Sequence, residues 1–298
     1  MVDRRPMKAP EPAARSFRIQ GLPLRIWDHG GEGRPLLFLH GFLDTGRSFD
    51  EAVRALGPAW RGLCLDWRGH GGSRPVPEGA SFHQLDHLKD LTLLLDRLEE
   101  EGLAPFALVG HSLGGIVACL LAGSLPGRVQ RLILVDSLGA VAEEPGEGPA
   151  RLGAVLERLR QGPRPFRTFA SPEAAARRVR ENNPGLTEEG ARRMVRSILE
   201  RTEDGRYAFP FDPRLRGPSP VRWPESFWRR LLGRIEARVH VLQAEYGYAD
   251  RLPDAEGRFR ALRRGSRRLL EGVGHHAHLD APGLLARAMA AFLEEEAS

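Results

Sequence analysis

The sequence predicts an α/β fold with a doubly wound, mostly parallel sheet. Short apolar runs suited to buried strands alternate with helical segments of ten or more residues, which is typical of a parallel sheet covered on both faces. The alternation stops over residues 138–237 and then resumes. We therefore expect a core made of residues 15–137 and 238–298, a helical insertion over 138–237, and a disordered N-terminal tail over 1–14.

The first half of the core begins with a β-hairpin, because residues 17–20 and 24–27 alternate apolar and polar side chains around Gly21 and Pro23. Two helices are predicted to begin at capping boxes, Ser48-x-x-Glu51 and Ser81-x-x-Gln84. The second of these carries leucines on one face, as an amphipathic helix would. Nearly continuous apolar runs then indicate buried strands at 36–40, 62–66, 106–109 and 131–136.

The insertion lacks strand-like runs and is rich in arginine. Helical patterns are found at about 151–160, 173–181, 187–201 and 225–235, with aromatic residues and prolines between them. Strands resume at 239–242 and 268–271, and a last helix is predicted over about 282–295.

Composition limits the partners and the compartment. The net charge is +5, but the 42 arginines are interleaved with acidic residues rather than clustered with aromatic ones, so we expect neither a nucleic acid nor a membrane as partner. No apolar run approaches the ~20 residues of a membrane span, and the N-terminus lacks the apolar stretch of a signal peptide. Cys64 and Cys119 form no C-x-x-C pair and are expected to be buried free thiols in a cytoplasmic protein.

The stretch Gly110-His-Ser112-Leu-Gly114 is a G-x-S-x-G pattern between a predicted strand and a predicted helix. This pattern is typical of a nucleophile elbow, in which a sharp turn exposes the serine Oγ. Only glycine is expected to fit at positions 110 and 114, because the strand and the helix pass too close for a Cβ. Ser112 is the predicted nucleophile.

Three histidines follow the last predicted strand, in Gly274-His275-His276-Ala-His278. A base for an elbow serine is expected on such a loop, and His275 is favoured because it follows the glycine directly. His276 is expected to face solvent, and His278 to pack or hydrogen-bond locally. The i, i+1, i+3 spacing has no matching carboxylate motif, so no metal site is predicted.

The oxyanion donors are predicted to be the backbone N–H groups of Leu113, just after the nucleophile, and Phe42, just after His40-Gly41. Together these motifs, with the stretch 66–71 (Asp-Trp-Arg-Gly-His-Gly), resemble the α/β-hydrolase superfamily in order and spacing. The resemblance covers about 17–137 and 238–295 and implies that 138–237 is a helical cap, or lid. Residues 245–250 and 211–215 are also similar to the serine hydrolase-like family.

The acid that orients the histidine departs from the superfamily's usual pattern. Its usual position, a few residues after the strand at 239–242, is occupied here by Gly247. Asp136, at the end of the strand after the elbow helix, is one candidate, because some members of the superfamily carry their acid there; Asp250 is the other. We favour Asp136. Asp66 and Asp280 resemble structural positions of the fold.

The resemblance implies a serine hydrolase that cleaves a small to medium ester, thioester or related acyl bond, with no cofactor and a small-molecule acyl substrate. A serine nucleophile argues against the aspartate-dependent dehalogenases and epoxide hydrolases. A hydrolase of C–C bonds in β-diketones stays open as an alternative. So does a slow or inert ligand-binding protein on the same scaffold, because the acid is displaced.

Overall fold

A computed structural model describes residues 11–248 and 251–295, and an eight-stranded sheet lies at its centre. The strands of this sheet are β1 (Ala13–Ile19), β2 (Leu22–Asp28), β3 (Arg34–Leu39), β4 (Trp60–Leu65), β5 (Ala107–His111), β6 (Arg131–Val135), β9 (Arg238–Tyr246) and β10 (Gly265–Gly274). They lie in the order β1-β2-β4-β3-β5-β6-β9-β10. The hairpin of β1 and β2 pairs antiparallel with β4, and all the other neighbours are parallel. The predicted fold class is confirmed.

Helices cover both faces of this sheet, so the central strands are buried on both sides. One face packs against α1 (Asp50–Leu56) and α10 (Pro282–Leu293). The other packs against α2 (Gln84–Glu100), α3 (Leu113–Ser124) and α8 (Ala255–Ala261). The side chains at positions 36–39 in β3 are fully buried, which explains why this strand has a continuous apolar run rather than an alternating one.

The stretch between β6 and β9 is mainly helical, as its sequence predicts. It contains α4 (Gly148–Gln161), α5 (Pro172–Asn182), α6 (Glu188–Ile198) and α7 (Glu225–Leu232). The sequence did not predict a small hairpin here, formed by β7 (Glu200–Arg201) and β8 (Tyr207–Ala208). Helices α5 and α6 share an apolar cluster with Leu43 and Leu279 of the core, whereas Trp228 and Leu231 of α7 pack against Leu120 of α3.

Local details differ from prediction at two helix starts and at the N-terminus. Ser48 does not cap α1, because its Oγ donates to Asp44 Oδ2 at 2.9 Å and to Thr45 O at 2.8 Å. At α2 the cap position is His83, whose N–H donates to Asp86 Oδ2 at 2.9 Å. Ala13 and Ala14 pair with β2, so the predicted tail over 1–14 is too long at its C-terminal end. Residues 1–10 lie outside the described residues.

Two smaller predictions concern the cysteines and membrane spans. Cys64 and Cys119 are buried free thiols, as predicted, and burial raises the pKa of Cys119 to about 12. Within residues 11–248 and 251–295, no helix has the length and apolar character needed to cross a bilayer.

Candidate active site

Ser112 lies between the end of β5 and the start of α3. Its backbone has φ 49° and ψ −115°, in a region that non-glycine residues rarely adopt and that stores strain at functional sites. The turn brings α3 against β3, where a Cβ on Gly114 would lie 2.0 Å from Leu39 O. A Cβ on Gly110 would lie 2.7 Å from the backbone of Gly115. Both glycines are therefore required for close approach, as predicted.

His275 begins the loop after β10 and lies beside the end of β5. His111 Nε2 is 2.9 Å from the carbonyl oxygen of His275, and the two rings are 4.7 Å apart. Because a carbonyl only accepts, this contact is an N–H donated by His111. Among the described residues no hydrogen bond joins Ser112 Oγ to His275, although such contacts are often long in the free form of an enzyme.

Asp136 comes directly after β6 and is fully buried. Its Oδ2 is 2.6 Å from His275 Nδ1 and accepts the Tyr248 N–H at 2.6 Å; its Oδ1 accepts the Ala244 N–H at 3.2 Å. A carboxylate only accepts hydrogen bonds, so with Asp136 ionised Nδ1 of His275 donates to it, and in the neutral imidazole Nε2 keeps the lone pair. Asp136 has φ 46°, a second strained residue at the site.

Gly247 makes room for the Asp136 carboxylate. A Cβ at position 247 would lie 2.2 Å from Asp136 Oδ1 and 2.5 Å from Oδ2. Any other side chain would thus collide with the carboxylate at its present position. The glycine that stands at the superfamily's usual acid position is the residue that lets an acid from the neighbouring strand fill the same space.

The remaining acidic candidates have other surroundings or are not described. Asp250 lies outside the described residues. Asp66 accepts N–H groups from Gly46, Gly72 and the Trp27 ring at 2.7–3.0 Å, and burial raises its pKa to about 6. Asp280 accepts from Thr187. Both therefore hold loops together, which agrees with the structural positions that the resemblance implies.

The two predicted oxyanion donors belong to segments that adjoin the serine. Leu113 is the first residue of α3, where a backbone N–H has no partner within the helix. Phe42 follows Gly41, whose added Cβ would lie 3.3 Å from Ser112 Cβ, so the 41–42 loop packs directly against the nucleophile position. The Phe42 ring is half exposed.

A second group of histidines, not predicted from the sequence, lies beneath this site. One ring nitrogen each of His111, His276 and His278 lies within 4.8 Å of the others. Burial lowers the pKa of His276 to about 3 and that of His111 well below its ordinary value. His278 bonds Asp44 Oδ2 at 3.1 Å, a partner 234 positions away and not a local one as expected. His276 does not simply face solvent, because its Nε2 contacts Asn183 Oδ1 at 3.1 Å. The strand order brings His111 to the 275–278 loop from more than 160 residues away in sequence, which spacing along the chain cannot reveal.

A small cavity opens beside His275. Its volume is about 160 Å³, and its lining includes Asn183, Leu186, Tyr246, Tyr248 and Arg251. Ligand sites for drug-sized molecules are usually larger, about 300–1,000 Å³. The cavity therefore has room only for a short substituent, and Ser112 is not among its lining residues.

The arrangement of a strained serine, a histidine and a buried aspartate on one sheet edge is found in a family of known fold. Residues 34–282 match the family model described as alpha/beta hydrolase fold. The chain belongs to this family. The alpha/beta hydrolase fold therefore accounts for both the strand order and the position of the elbow.

Individual relatives agree with this membership. A serine hydrolase-like protein of Dictyostelium discoideum is 25% identical over 287 residues, which cover 91% of this chain and 78% of that protein. A crystal structure of a hypothetical protein of Pseudomonas aeruginosa PAO1 has a TM-score of 0.84 and 32% identity, covering 96% of this chain and 100% of that one. The thioesterase domain from the curacin biosynthetic pathway has a TM-score of 0.76 and 25% identity, with 96% and 100% covered.

Proposed function

We propose that this alpha/beta hydrolase is a serine hydrolase that cleaves small to medium esters or thioesters through an acyl-enzyme. The contact that carries the proposal is the 2.6 Å pair between His275 Nδ1 and the buried carboxylate of Asp136. It fixes the tautomer in which His275 Nε2 can take a proton from Ser112. The thioesterase domain and the serine hydrolase-like relative support the same reaction class.

In the proposed mechanism, Ser112 Oγ attacks the acyl carbonyl while His275 Nε2 accepts its proton. The N–H groups of Leu113 and Phe42 stabilise the oxyanion of the tetrahedral intermediate. His275 then gives the proton to the leaving alcohol or thiol, and Ser112 keeps the acyl group. Water, deprotonated by His275, attacks the acyl-enzyme and releases the acid, with the proton returning to Ser112 Oγ.

We further propose that residues 138–237 form a cap over this site. Phe211 forms an isolated bridge with His70, and the Asp212 N–H donates to Gly69 O at 2.8 Å. These contacts tie the middle of the insertion to the loop after β4. The small cavity beside His275 favours short acyl or leaving groups over long ones.

The test combines a fluorophosphonate probe with a panel of p-nitrophenyl esters and matching thioesters of increasing acyl length. We expect covalent labelling of Ser112, loss of labelling and turnover in Ser112→Ala, and faster turnover of short chains. Ser124→Ala, at the exposed end of α3, is the matched serine control and should behave like the parent chain.

Two results would contradict the proposal. Absence of labelling in a folded protein would favour an inert ligand-binding scaffold. Labelling of Ser112 together with cleavage of a β-diketone, and of no ester or thioester, would favour the C–C bond hydrolase.

A further inference from the structure

The histidines beneath the candidate active site have an unusual hydrogen-bonding pattern. We define the histidine trio as His111, His276 and His278. In each ring Nε2 contacts an oxygen: the carbonyl of His275 at 2.9 Å, the side-chain Oδ1 of Asn183 at 3.1 Å, and the carboxylate of Asp44 at 3.1 Å, respectively. In each ring Nδ1 is buried and has no hydrogen-bond partner among the residues that the structure describes.

These contacts fix the tautomers of the trio. Carbonyl, amide and carboxylate oxygens accept hydrogen bonds, so each Nε2 carries a proton and donates it. In the neutral form of each ring, Nδ1 is then left with a lone pair. Three buried lone pairs without a donor are costly, because an unsatisfied buried acceptor loses its hydration without compensation.

The same pattern is what metal-binding histidines show. A ligating histidine typically donates its other ring N–H to a carboxylate, a carbonyl or a similar oxygen, which fixes both the tautomer and the ring orientation. All three members of the trio have such a partner. Three neutral imidazoles suit Zn²⁺ or a similar transition-metal ion, with a fourth position left open.

Gly41 lies against the lone pair of His111 Nδ1. A Cβ at position 41 would be 2.8 Å from this nitrogen, so any larger residue would cover it. Nitrogens around tetrahedral Zn²⁺, at 2.0–2.1 Å from the metal, are about 3.4 Å apart. One ring nitrogen of each histidine lies within 4.8 Å of the others, so the three rings must move closer together to hold an ion at this spacing.

We propose that the histidine trio is a binding site for a divalent transition-metal ion of the Zn²⁺ class. The ion would join the end of β5 to the loop that carries His275, without using the His275 side chain. Since all three rings already present a lone pair, no proton has to leave when the metal binds.

The test measures metal binding rather than turnover. The full chain is stripped with a chelator and titrated with Co²⁺ and with Zn²⁺, following the visible absorption of tetrahedral Co²⁺ and the heat of Zn²⁺ binding. We expect one ion per chain. His276→Gln, which removes a half-buried ligand, should weaken the dissociation constant by about tenfold or more. Asn183→Ala removes the oxygen that orients His276, together with an amide bond to Val179 O at 2.9 Å, and should weaken metal binding by a similar factor.

Three control variants test whether the trio itself holds the ion. His240→Gln changes a histidine stacked on Phe292, away from the trio, and should leave binding unchanged. Ser112→Ala should also bind normally, so that failure of the hydrolase mechanism does not affect the result. His275→Gln should keep the ion, because only the backbone carbonyl of His275 contacts the trio.

The proposal is overturned if the stripped chain binds neither ion, which would leave the trio as an acceptor cluster filled by water. It is also overturned if His275→Gln abolishes binding while His276→Gln retains it, because the ion would then occupy the candidate catalytic histidine. Thermal unfolding of each variant without metal checks that the variants are folded.

Discussion

At the scale of single residues, Asp136 and Gly247 form one unit. The carboxylate reaches His275 from β6, and the glycine after β9 leaves the space that it occupies. The acid and the glycine are therefore coupled, although 111 positions separate them in the sequence. Two predictions test the two halves of this unit.

Asp136→Asn should lower kcat for a short p-nitrophenyl ester by about 10⁴-fold, as loss of the aspartate does in serine proteases. An amide NH₂ cannot accept the His275 proton, so the wrong tautomer is favoured. Asp250→Asn is the matched control and should lose less than tenfold. The assignment fails if Asp250→Asn shows the larger loss, and the whole triad fails if neither variant loses more than tenfold.

Gly247→Ala should lower kcat by about 10²-fold, because a Cβ 2.2 Å from Asp136 Oδ1 must displace the carboxylate. The control is Gly79→Ala, where an added Cβ meets nothing within 4 Å. Steady-state kinetics and thermal unfolding of both variants provide the comparison. Equal activity in Gly247→Ala and the parent chain would mean that the carboxylate position is unimportant.

At the scale of secondary-structure elements, α6 is tied to the core at its first turn. Thr187 is the N-cap of α6 and accepts the Gly190 N–H at 2.9 Å. Its hydroxyl also donates to Asp280 Oδ1 at 2.6 Å, at the end of the short helix α9 (Ala277–Asp280). The same side chain thus starts a cap helix and fastens it next to the histidine loop.

Thr187→Ala should lower the free energy of unfolding by about 2 kcal/mol, about half from the lost cap and half from the lost bond to a carboxylate. Ser171→Ala is the control: Ser171 caps α5 by accepting the Ala174 N–H and also bonds Glu173 of the same helix, so only contacts at the start of α5 are lost and about 1 kcal/mol is expected. Urea unfolding of both variants measures the difference. Equal losses would show that the Asp280 contact adds nothing to stability.

Sequence patterns predicted a strand or helix well where the burial of its side chains is visible in its own residues. The run 131–136 is apolar because β6 is covered on both faces, and this can be seen in the sequence without knowing its neighbours. Helix starts were less predictable, because Ser48 and Ser81 satisfy the capping pattern while their hydroxyls bond elsewhere. Whether a serine caps a helix depends on which acceptors the folded chain brings near it.

The candidate site shows the same distinction. Ser112 and His275 follow from local motifs, and the structure describes both at the carboxyl edge of the sheet. The acid could not be decided from the sequence, since Asp136 and Asp250 both lie at a plausible distance along the chain. The structure describes the contact of Asp136 with His275 at 2.6 Å, whereas Asp250 lies outside the described residues. The histidine trio was missed because His111 joins it through sheet pairing and not through sequence spacing.

At the scale of the whole molecule, the core around the loop after β4 contains histidines that are held neutral. His40 Nε2 accepts the Trp67 N–H at 3.0 Å, and His70 Nε2 accepts the Leu43 N–H at 3.3 Å. A protonated ring could not accept either bond. Burial lowers the pKa of His40 to about 4, that of His87 to about 3, and that of His70 well below its ordinary value.

These histidines predict a loss of stability in mild acid. The unfolded chain takes up their protons near pH 6.5, and the folded chain only near or below pH 4, so the unfolded state binds more protons in between. Burial raises the pKa of Asp66 to about 6, so here the folded chain binds up to one proton more than the unfolded chain, which opposes the effect of the histidines. Near pH 5.5 the unfolded chain binds roughly two more protons at these four groups than the folded chain does. The free energy of unfolding therefore falls by about 3 kcal/mol for each unit that the pH is lowered.

Urea unfolding at pH 7.5, 6.5, 5.5 and 5.0 measures this dependence. The stability should fall by about 1 kcal/mol between pH 7.5 and 6.5 and more steeply below pH 6.5. A stability that is flat or rises between pH 6.5 and 5.0 would contradict the neutral assignment of these buried rings.

The position of Asp136 after β6 has a consequence for substitutions in the loop after β9. Among the described residues after β9, Tyr248 gives the carboxylate a backbone N–H and Gly247 leaves it space. The N–H excludes proline at position 248, while the Tyr248 ring lies 5.6 Å from the His275 ring. Because Tyr248 also lines the cavity beside His275, a substitution at this position would reshape the cavity without removing any of the proposed catalytic groups.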